Sequence, residues 1–204
     1  MFEKPAEDDS TNKPDCELLI CFLIFIRNRK KLHLSWMVIS SQPIEELGDM
    51  VVELLVYLFD REGVFIGRGI NYPVALEGAL KLKEVSYIHA EGYAAGELKH
   101  GPFALLGRET PVVVMVARND TFNAIMGNIR EIKARSAPVV VICEPENDYI
   151  SQLADCVITV PRVDQMFSPV VNTVVLQLLA YYAAREKGCP IDCPRNLAKS
   201  VTVE

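Results

Sequence analysis

Apolar positions fall into two textures, continuous β-branched runs and spaced helical stripes. Residues 111–117 (PVVVMVA), 138–143 (PVVVIC) and 156–160 (CVITV) are unbroken apolar runs without period-two alternation. That pattern predicts strands covered on both faces, as in a parallel sheet. Residues 121–135 between the first two runs read as a helix, and residues 168–187 form a longer one closed by Gly188 and Pro190. Upstream, apolar residues at Ile44, Leu47, Val51, Leu54, Leu55 and Leu58 keep helical spacing over 44–59. Residues 63–69 (GVFIGRG) are a short apolar run ending in glycines, and Pro73 is suited to open a helix over 73–88. The alternating βα order predicts an α/β fold, a three-layer doubly wound parallel sheet with right-handed crossovers. Ligands of such sheets bind at the carboxyl ends of the strands, which puts loop 67–72 on the binding edge.

Residues 1–42 do not share this texture. Six acids (Glu3, Glu7, Asp8, Asp9, Asp15, Glu17) face Lys4 and Lys13, then nine apolar residues run from Leu18 to Ile26, followed by Arg27, Arg29, Lys30 and Lys31. Spanning a bilayer takes roughly 20 apolar residues. A signal peptide carries its positive charge before the apolar run, the reverse of the order here. The segment reads as an atypical leader holding a short strand or forming an appendage, with no membrane role.

Composition narrows the chemistry. The 204 residues suit one domain plus an appendage, and half are apolar, enough to bury a core. Net charge is −6, with 27 acidic against 21 basic residues, which argues against a nucleic-acid partner. The six cysteines form no CxxC pair and the three histidines have no zinc spacing, so no metal and no cofactor is expected. Reduced thiols and a cytoplasmic location are the corresponding expectation.

The most informative segment is 73–88, PVALEGALKLKEVSYI. At about 100° per residue, Glu77, Lys81 and Glu84 form a narrow charged stripe flanked by Leu76, Leu80, Leu82 and Val85. Two readings stand: a buried helix presenting carboxylate and ammonium to a cleft, or a helix-stabilising Glu77–Lys81 pair worth about 0.2 to 0.5 kcal/mol. His100, directly before Gly101 and Pro102, reads as a turn or helix boundary where an imidazole could trade protons. The turn Gly67–Arg68–Gly69 could bring N–H groups to a phosphate, but Tyr72 stands where GxGxxG needs its third glycine and the loop holds no Ser or Thr hydroxyl. By itself Lys199, near the end of the chain, is an ordinary solvated lysine.

Together, FIGRG, YPVALEGALKLKEVSYIHAEGYAAGELKHGPFALL and PRNLAKSVTVE closely resemble the C-terminal part of the glutamine:fructose-6-phosphate aminotransferase (isomerising) family. The resemblance runs from about Ile44 to Glu204 and implies a sugar isomerase (SIS) subdomain of flavodoxin-like type over 43–188, with a C-terminal catalytic tail over 189–204. It implies that Lys199 forms a Schiff base with the ketose carbonyl. Glu84 would move a proton between C1 and C2, and His100 would assist ring opening. Lys81 and Glu77 match further active-site positions, with Lys81 on the catalytic side and Glu77, Ala198, Gly67 and Gly69 on the substrate-binding side. The implied ligands are fructose 6-phosphate and glucosamine 6-phosphate, in a homodimer whose histidine is donated by the neighbouring subunit.

Departures from the family limit those expectations. Met1 is followed by Phe2 rather than by the family's cysteine nucleophile, so glutamine hydrolysis is not expected. The first SIS subdomain, which in the family supplies most of the phosphate cradle, has no counterpart here. A separate chain would have to carry it and the glutaminase. The implied function is the isomerase part of an amino-sugar-forming aminotransferase, incomplete alone; the alternatives are a noncatalytic sugar-phosphate-binding module or a truncated gene product.

Overall fold

The structure is a computed structural model that describes residues 25–27, 62–145 and 148–197. The expected helix over 44–59, most of the leader, Ala198 and Lys199 lie outside the described residues. Six strands form one sheet: β1 (Phe25–Arg27), β2 (Glu62–Gly67), β3 (His89–Ala94), β4 (Val112–Val116), β5 (Val139–Cys143) and β6 (Cys156–Thr159), in the order β1-β6-β5-β4-β2-β3. All neighbouring pairs are parallel except β1 with β6. Numbered by themselves, the five parallel strands run 2-1-3-4-5, the flavodoxin-type order, with the chain reversing its winding direction between β2 and β4.

Among the described residues, four helices cover the sheet: α1 (Asn71–Ser86), α2 (Phe122–Lys133), α3 (Asp148–Leu153) and α4 (Ser168–Glu186). Every residue of β4 and β5 is buried, so these strands read as unbroken apolar runs. Alternate side chains feed two cores. Phe65, Val113, Met115, Val140 and Ile142 pack with Ala75, Ala79 and Leu82 of α1 and Val175, Leu176 and Leu179 of α4. Val64, Ile66, Val114 and Val141 pack on the other face with Ile125, Ile129 and Ile132 of α2 and Ile150 of α3. Each such side chain contributes about 1.5 to 3 kcal/mol by leaving water. By length and composition α4 could cross a membrane, yet Val171, Val175, Leu176, Leu179, Ala180, Ala183 and Ala184 are buried within this domain.

Two polar ties fix the layers. The Asn172 amide donates to Asn71 Oδ1 at 3.0 Å, both residues being buried, and pins the start of α1 to α4. Stripping either amide of its partner would cost about 1 to 3 kcal/mol. Asp155 accepts from the Val139 N–H at 2.7 Å and from Lys133 Nζ, tying the end of α2 to the start of β5.

One local detail differs from the sequence expectation and another meets it. α1 begins at Asn71, leaving Pro73 in the third helical position, where no intrahelical donor is needed. The boundary expected at His100 is present, as the end of a 3₁₀ helix. Segment 89–106 is strand β3 followed by two 3₁₀ turns, Ala95–His100 and Pro102–Leu105, hinged at Gly101 with φ 140°. HAEGYA lacks the β-branched run of the other strands, so only its pairing with β2 makes it a strand.

Candidate functional site

α1 carries the charged stripe. Lys81 Nζ donates to Glu84 Oε2 at 2.7 Å and lies 3.6 Å from Glu77 Oε1, all three side chains being about one third exposed. The hydrogen bond to Glu84, then attraction to Glu84 and Glu77, raise the Lys81 pKa above its ordinary 10.5, outweighing a desolvation that acts the other way. Lys81 is therefore an ammonium at neutral pH. Such a group can orient a carboxylate or neutralise charge, but it cannot attack a carbonyl.

The helix is less buried than the leucine flanks suggested. Leu82 is in the core, while Leu76 and Leu80 remain 43% and 42% exposed beside the stripe. α1 turns its Val74, Ala75, Gly78, Ala79, Leu82 side inward, and the stripe lies along the margin of an open apolar surface.

The predicted site residues fall at opposite ends of α1. Gly67 ends β2, and Gly69 takes φ 56° in the turn that starts the helix, where Tyr72 N–H bonds the Gly69 carbonyl at 3.1 Å. A Cβ on Gly67 would overlap the Asn71 carbonyl, so this glycine is required by the close approach of strand and helix. Glu84 lies fourteen residues beyond Ile70. At 1.5 Å per residue that is about 21 Å along α1, toward the amino ends of the strands. A single hexose phosphate does not bridge that distance.

At the Glu84 end, the segment after α4 returns to α1. The Cys189 N–H bonds the Ala184 carbonyl at 2.9 Å, and Cys189 Sγ lies 3.7 Å from the Ser86 carbonyl oxygen. The Arg195 N–H donates to Tyr87 Oη at 2.9 Å, and its guanidinium carbon sits 4.1 Å from the Tyr87 ring centroid. Tyr87 caps α1 in the left-handed region at φ 59°, a conformation costing an L-residue roughly 1 to 2 kcal/mol and usually filled by glycine. Lys199 lies four residues past Arg195, outside the described residues.

His100 is exposed on the 3₁₀ turn whose Ala95 and Leu98 belong to the core on the α2 face. Because α1 covers the other face, the chain does not bring His100 to Glu84. Two features were not read from sequence. The first is the docking of Arg195 on Tyr87, which joins residues 108 positions apart and leaves no local pattern. The second is a cleft of about 300 Å³ at the carboxyl ends of β4 to β6, lined among others by Arg118, Glu144, Arg162, Ser168 and Asn172. Its loops carry no phosphate motif, and Arg162 faces Glu144 at 3.4 Å.

Strand order defines a flavodoxin-type doubly wound α/β domain, with a charged stripe along one helix and away from its glycine turn. The chain belongs to the SIS domain family, which matches it over residues 61–187. It is 56% identical over 140 residues to a glutamine–fructose-6-phosphate aminotransferase (isomerizing) of Methanosarcina acetivorans, covering 69% of this chain and 23% of that protein. Against the Bacteroides thetaiotaomicron protein of the same name it is 51% identical over 166 residues, covering 81% and 27%. Among solved structures, the C-terminal domain of glucosamine-fructose-6-phosphate aminotransferase from Francisella tularensis superimposes with a TM-score of 0.64 at 35% identity, covering 72% of this chain and 42% of that one. The chain thus spans about a quarter of the length of the curated relatives it matches.

Proposed function

We propose that this chain supplies the acid–base and Schiff-base half of a site that converts fructose 6-phosphate to glucosamine 6-phosphate, the other half coming from groups outside this domain. The observation that carries the reading is the Glu77–Lys81–Glu84 constellation, with Lys81 held charged against Glu84 at 2.7 Å. It lies within the portion of the chain that matches the named aminotransferases. In this mechanism the neutral amine of Lys199 adds to the C2 carbonyl and water leaves, giving a Schiff base. Ammonia then displaces the lysine from C2, freeing Lys199 and leaving the sugar imine, from whose C1 Glu84 takes a proton that it returns to C2, oriented by the Lys81 ammonium. The Schiff-base role of Lys199 is the one that the resemblance of PRNLAKSVTVE to the family implies.

Gly67 and Gly69 are too far from Glu84 to hold the same sugar's phosphate, so phosphate anchoring comes from groups outside this SIS domain. His100, placed on the opposite layer, serves the site of a second copy, which makes a homodimer the working assembly. Residues 43–188 form the SIS unit and 189–204 the catalytic tail, in a cytoplasmic protein. Without anchoring, conversion by the chain alone is weak or absent, since lost positioning removes several kcal/mol of advantage.

The test is borohydride trapping with fructose 6-phosphate at high concentration, followed by mass mapping. A hexitol adduct on Lys199, lost in Lys199→Ala, is expected; an adduct on Lys81, or none on any lysine, overturns the proposal. A noncatalytic sugar-phosphate-binding role is favoured by one observation, the cleft bearing Arg118 and Arg162. Fructose 6-phosphate affinity unaffected by Lys199→Ala and Glu84→Gln but lost in Arg162→Ala would establish that role instead.

A further inference from the structure

We propose that Glu131 is a positioning residue: it clamps the chain on both sides of the Gly101 hinge and so sets where His100 is presented. The inference deepens the function proposed above and rests on it for the use made of His100. The hinge has little of its own to hold it. Two 3₁₀ turns meet at Gly101, whose φ of 140° suits glycine, and a Cβ there would meet nothing within 4 Å. Hydrogen bonds in such turns are poorly aligned, which keeps the turns short. Within the two turns only Ala95 and Leu98 are buried, both before His100. Segments with so few buried contacts open locally at low cost.

Glu131 supplies two grips from one position. Its side chain takes the first turn: Lys99, the residue next to His100, places Nζ 2.8 Å from Glu131 Oε1. Its main chain takes the second turn. The Glu131 carbonyl accepts from Arg135 Nη1 at 2.7 Å, and the guanidinium so held lies over the Phe103 ring, its carbon 3.7 Å from the centroid. A planar guanidinium is suited to that stacking, and a lysine ammonium is not. Glu131 itself stands in the last turn of α2, whose Ile129 and Ile132 are in the core, so the grips tie a sparsely packed loop to a fixed helix.

The carboxylate is aimed by its neighbours. Asn128, three residues earlier on α2 and 5% exposed, donates to Glu131 Oε2 at 3.2 Å and leaves Oε1 to Lys99. Its own Oδ1 accepts from Arg68 Nη1 at 3.4 Å, and a Cβ on Gly96 of the first turn would lie 3.5 Å from that same nitrogen. Asparagine is a poor helix former, and a buried amide needs partners. Here one end of the amide orients Glu131 and the other links the clamp to the Gly67–Gly69 turn. The Lys99 hydrogen bond, against a smaller effect of burial and with help from Asn128 and the Lys99 and Arg135 charges, lowers the Glu131 pKa from its ordinary 4.5, so the clamp is charged at neutral pH. Singly, an exposed ion pair or an exposed cation–π contact shifts an opening equilibrium by about two- to fivefold. The two grips restrain one motion because they act on opposite sides of one glycine.

The experiment uses the full chain and two readouts. Amide hydrogen exchange at Ala104, whose N–H bonds the Gly101 carbonyl at 2.9 Å, and at Leu106, bonded to the Phe103 carbonyl at 3.3 Å, reports opening of the hinge. Lys99 and Arg135 are exposed, so Lys99→Ala and Arg135→Ala should each leave the thermal midpoint in place and speed this exchange about two- to fivefold. Lys99→Glu, which sets a like charge against Glu131, should speed it further, and adding Glu131→Lys should slow it again; a residue that only packs α2 would not be rescued in this way. The second readout is interconversion of the fructose 6-phosphate anomers followed by NMR, in which the C2–O5 bond breaks as the anomeric hydroxyl gives up its proton and the ring oxygen gains one. The chain is expected to accelerate it, His100→Ala to lose the acceleration, and Lys99→Ala and Arg135→Ala to lower the maximal rate by the factor seen in exchange with half-saturation unchanged. Unaltered exchange in both alanine variants, or no rescue in the double variant, overturns the clamp. A maximal rate that is lost in His100→Ala but unchanged in both alanine variants overturns the positioning role. Acceleration absent from the unaltered chain, or undiminished in His100→Ala, overturns the use of His100 proposed above and with it the positioning role, while the exchange data still decide whether the clamp exists.

Discussion

Gly78 sits between Glu77 and the rest of the stripe, and Gly78→Ala tests whether the packing of α1 against α4 holds that stripe in place. In an exposed helix the change would stabilise by about 0.8 to 1.0 kcal/mol, because glycine loses the most backbone entropy. Here an added Cβ would meet Leu176 Cδ1 at 2.6 Å, Phe65 Cδ1 at 3.1 Å and Leu176 Cγ at 3.2 Å. Leu176 is 1% exposed and Phe65 fully buried, so neither can swing out of the way. Overpacking of that kind costs about 1 to 3 kcal/mol, and three contacts together put this site in the upper half of the range. The net expectation is a loss of about 1 to 2 kcal/mol, or about 2 to 8 °C in thermal midpoint for a chain of this size. Denaturant titration of four proteins gives the decisive sign: wild type, Gly78→Ala, Leu176→Ala and the double variant. Leu176→Ala alone should cost about 2 to 5 kcal/mol. In that background Gly78→Ala should become stabilising, since the methyl then enters a vacancy. If Gly78→Ala stabilises the unaltered chain by its full helix-propensity gain, the close packing of α1 on α4 is refuted.

Glu84→Gln removes the largest cause of the raised Lys81 pKa, so the ammonium should titrate closer to 10.5 by NMR. A raised folded-state pKa contributes stability that is complete below the unfolded value and is lost as pH rises through the folded one, so the variant should lose less stability than wild type above about pH 10.5; an unmoved Lys81 titration would refute the pairing. Among the four described cysteines, burial, with the nearby Asp155 charge, pushes Cys156 up to about 11 and Cys143 is buried, whereas Cys193 is exposed and Cys189 half-buried. Iodoacetamide at neutral pH should therefore label Cys193 first and leave Cys143 and Cys156 unlabelled until denaturant is added, as mass mapping would show. Gly67→Ser would supply the hydroxyl that the turn lacks, but its Cβ overlaps the Asn71 carbonyl; at least about 2 kcal/mol of destabilisation is expected with no gain in phosphate affinity, and a stable variant would refute the close approach.

The parts of the fold legible in sequence were those whose signal is local. β4, β5 and β6 declared themselves because strands covered on both faces must be apolar throughout, and β2 ended where its glycines permit α1 to approach. β3 was missed because HAEGYA owes its conformation to pairing with β2 and carries no propensity of its own. The stripe on α1 was legible from period alone, including the proximity of Lys81 to both carboxylates. Its exposure was not, because Leu76 and Leu80 look like core residues until the side of α1 that meets α4 is known. The docking of Arg195 on Tyr87 has no sequence signature, since neither residue type nor spacing announces a contact across 108 positions.

The length of α1 explains why acid–base groups and a poor phosphate turn coexist in one domain. In a doubly wound sheet the carboxyl edge is the ordinary place for a ligand, and there α1 begins with the turn at Gly67 to Ile70. That turn is committed to packing: Gly67 has no room for a side chain, and Gly69 holds a left-handed backbone. The reactive constellation lies instead toward the other end of the helix, about 21 Å away at Glu84, where the chain's own C-terminal segment arrives through Arg195. On the proposed reading, a sugar phosphate held at Glu84 would find its phosphate partners on a surface that faces the stripe from outside this domain. Leu76 and Leu80, exposed along the stripe's margin, are the apolar ground such a surface would cover. The same geometry predicts which half of the chemistry survives in isolation. Under the proposed function, capture of an open-chain sugar by an amine would survive in the chain alone while turnover would not, and the borohydride trap against a turnover assay separates the two.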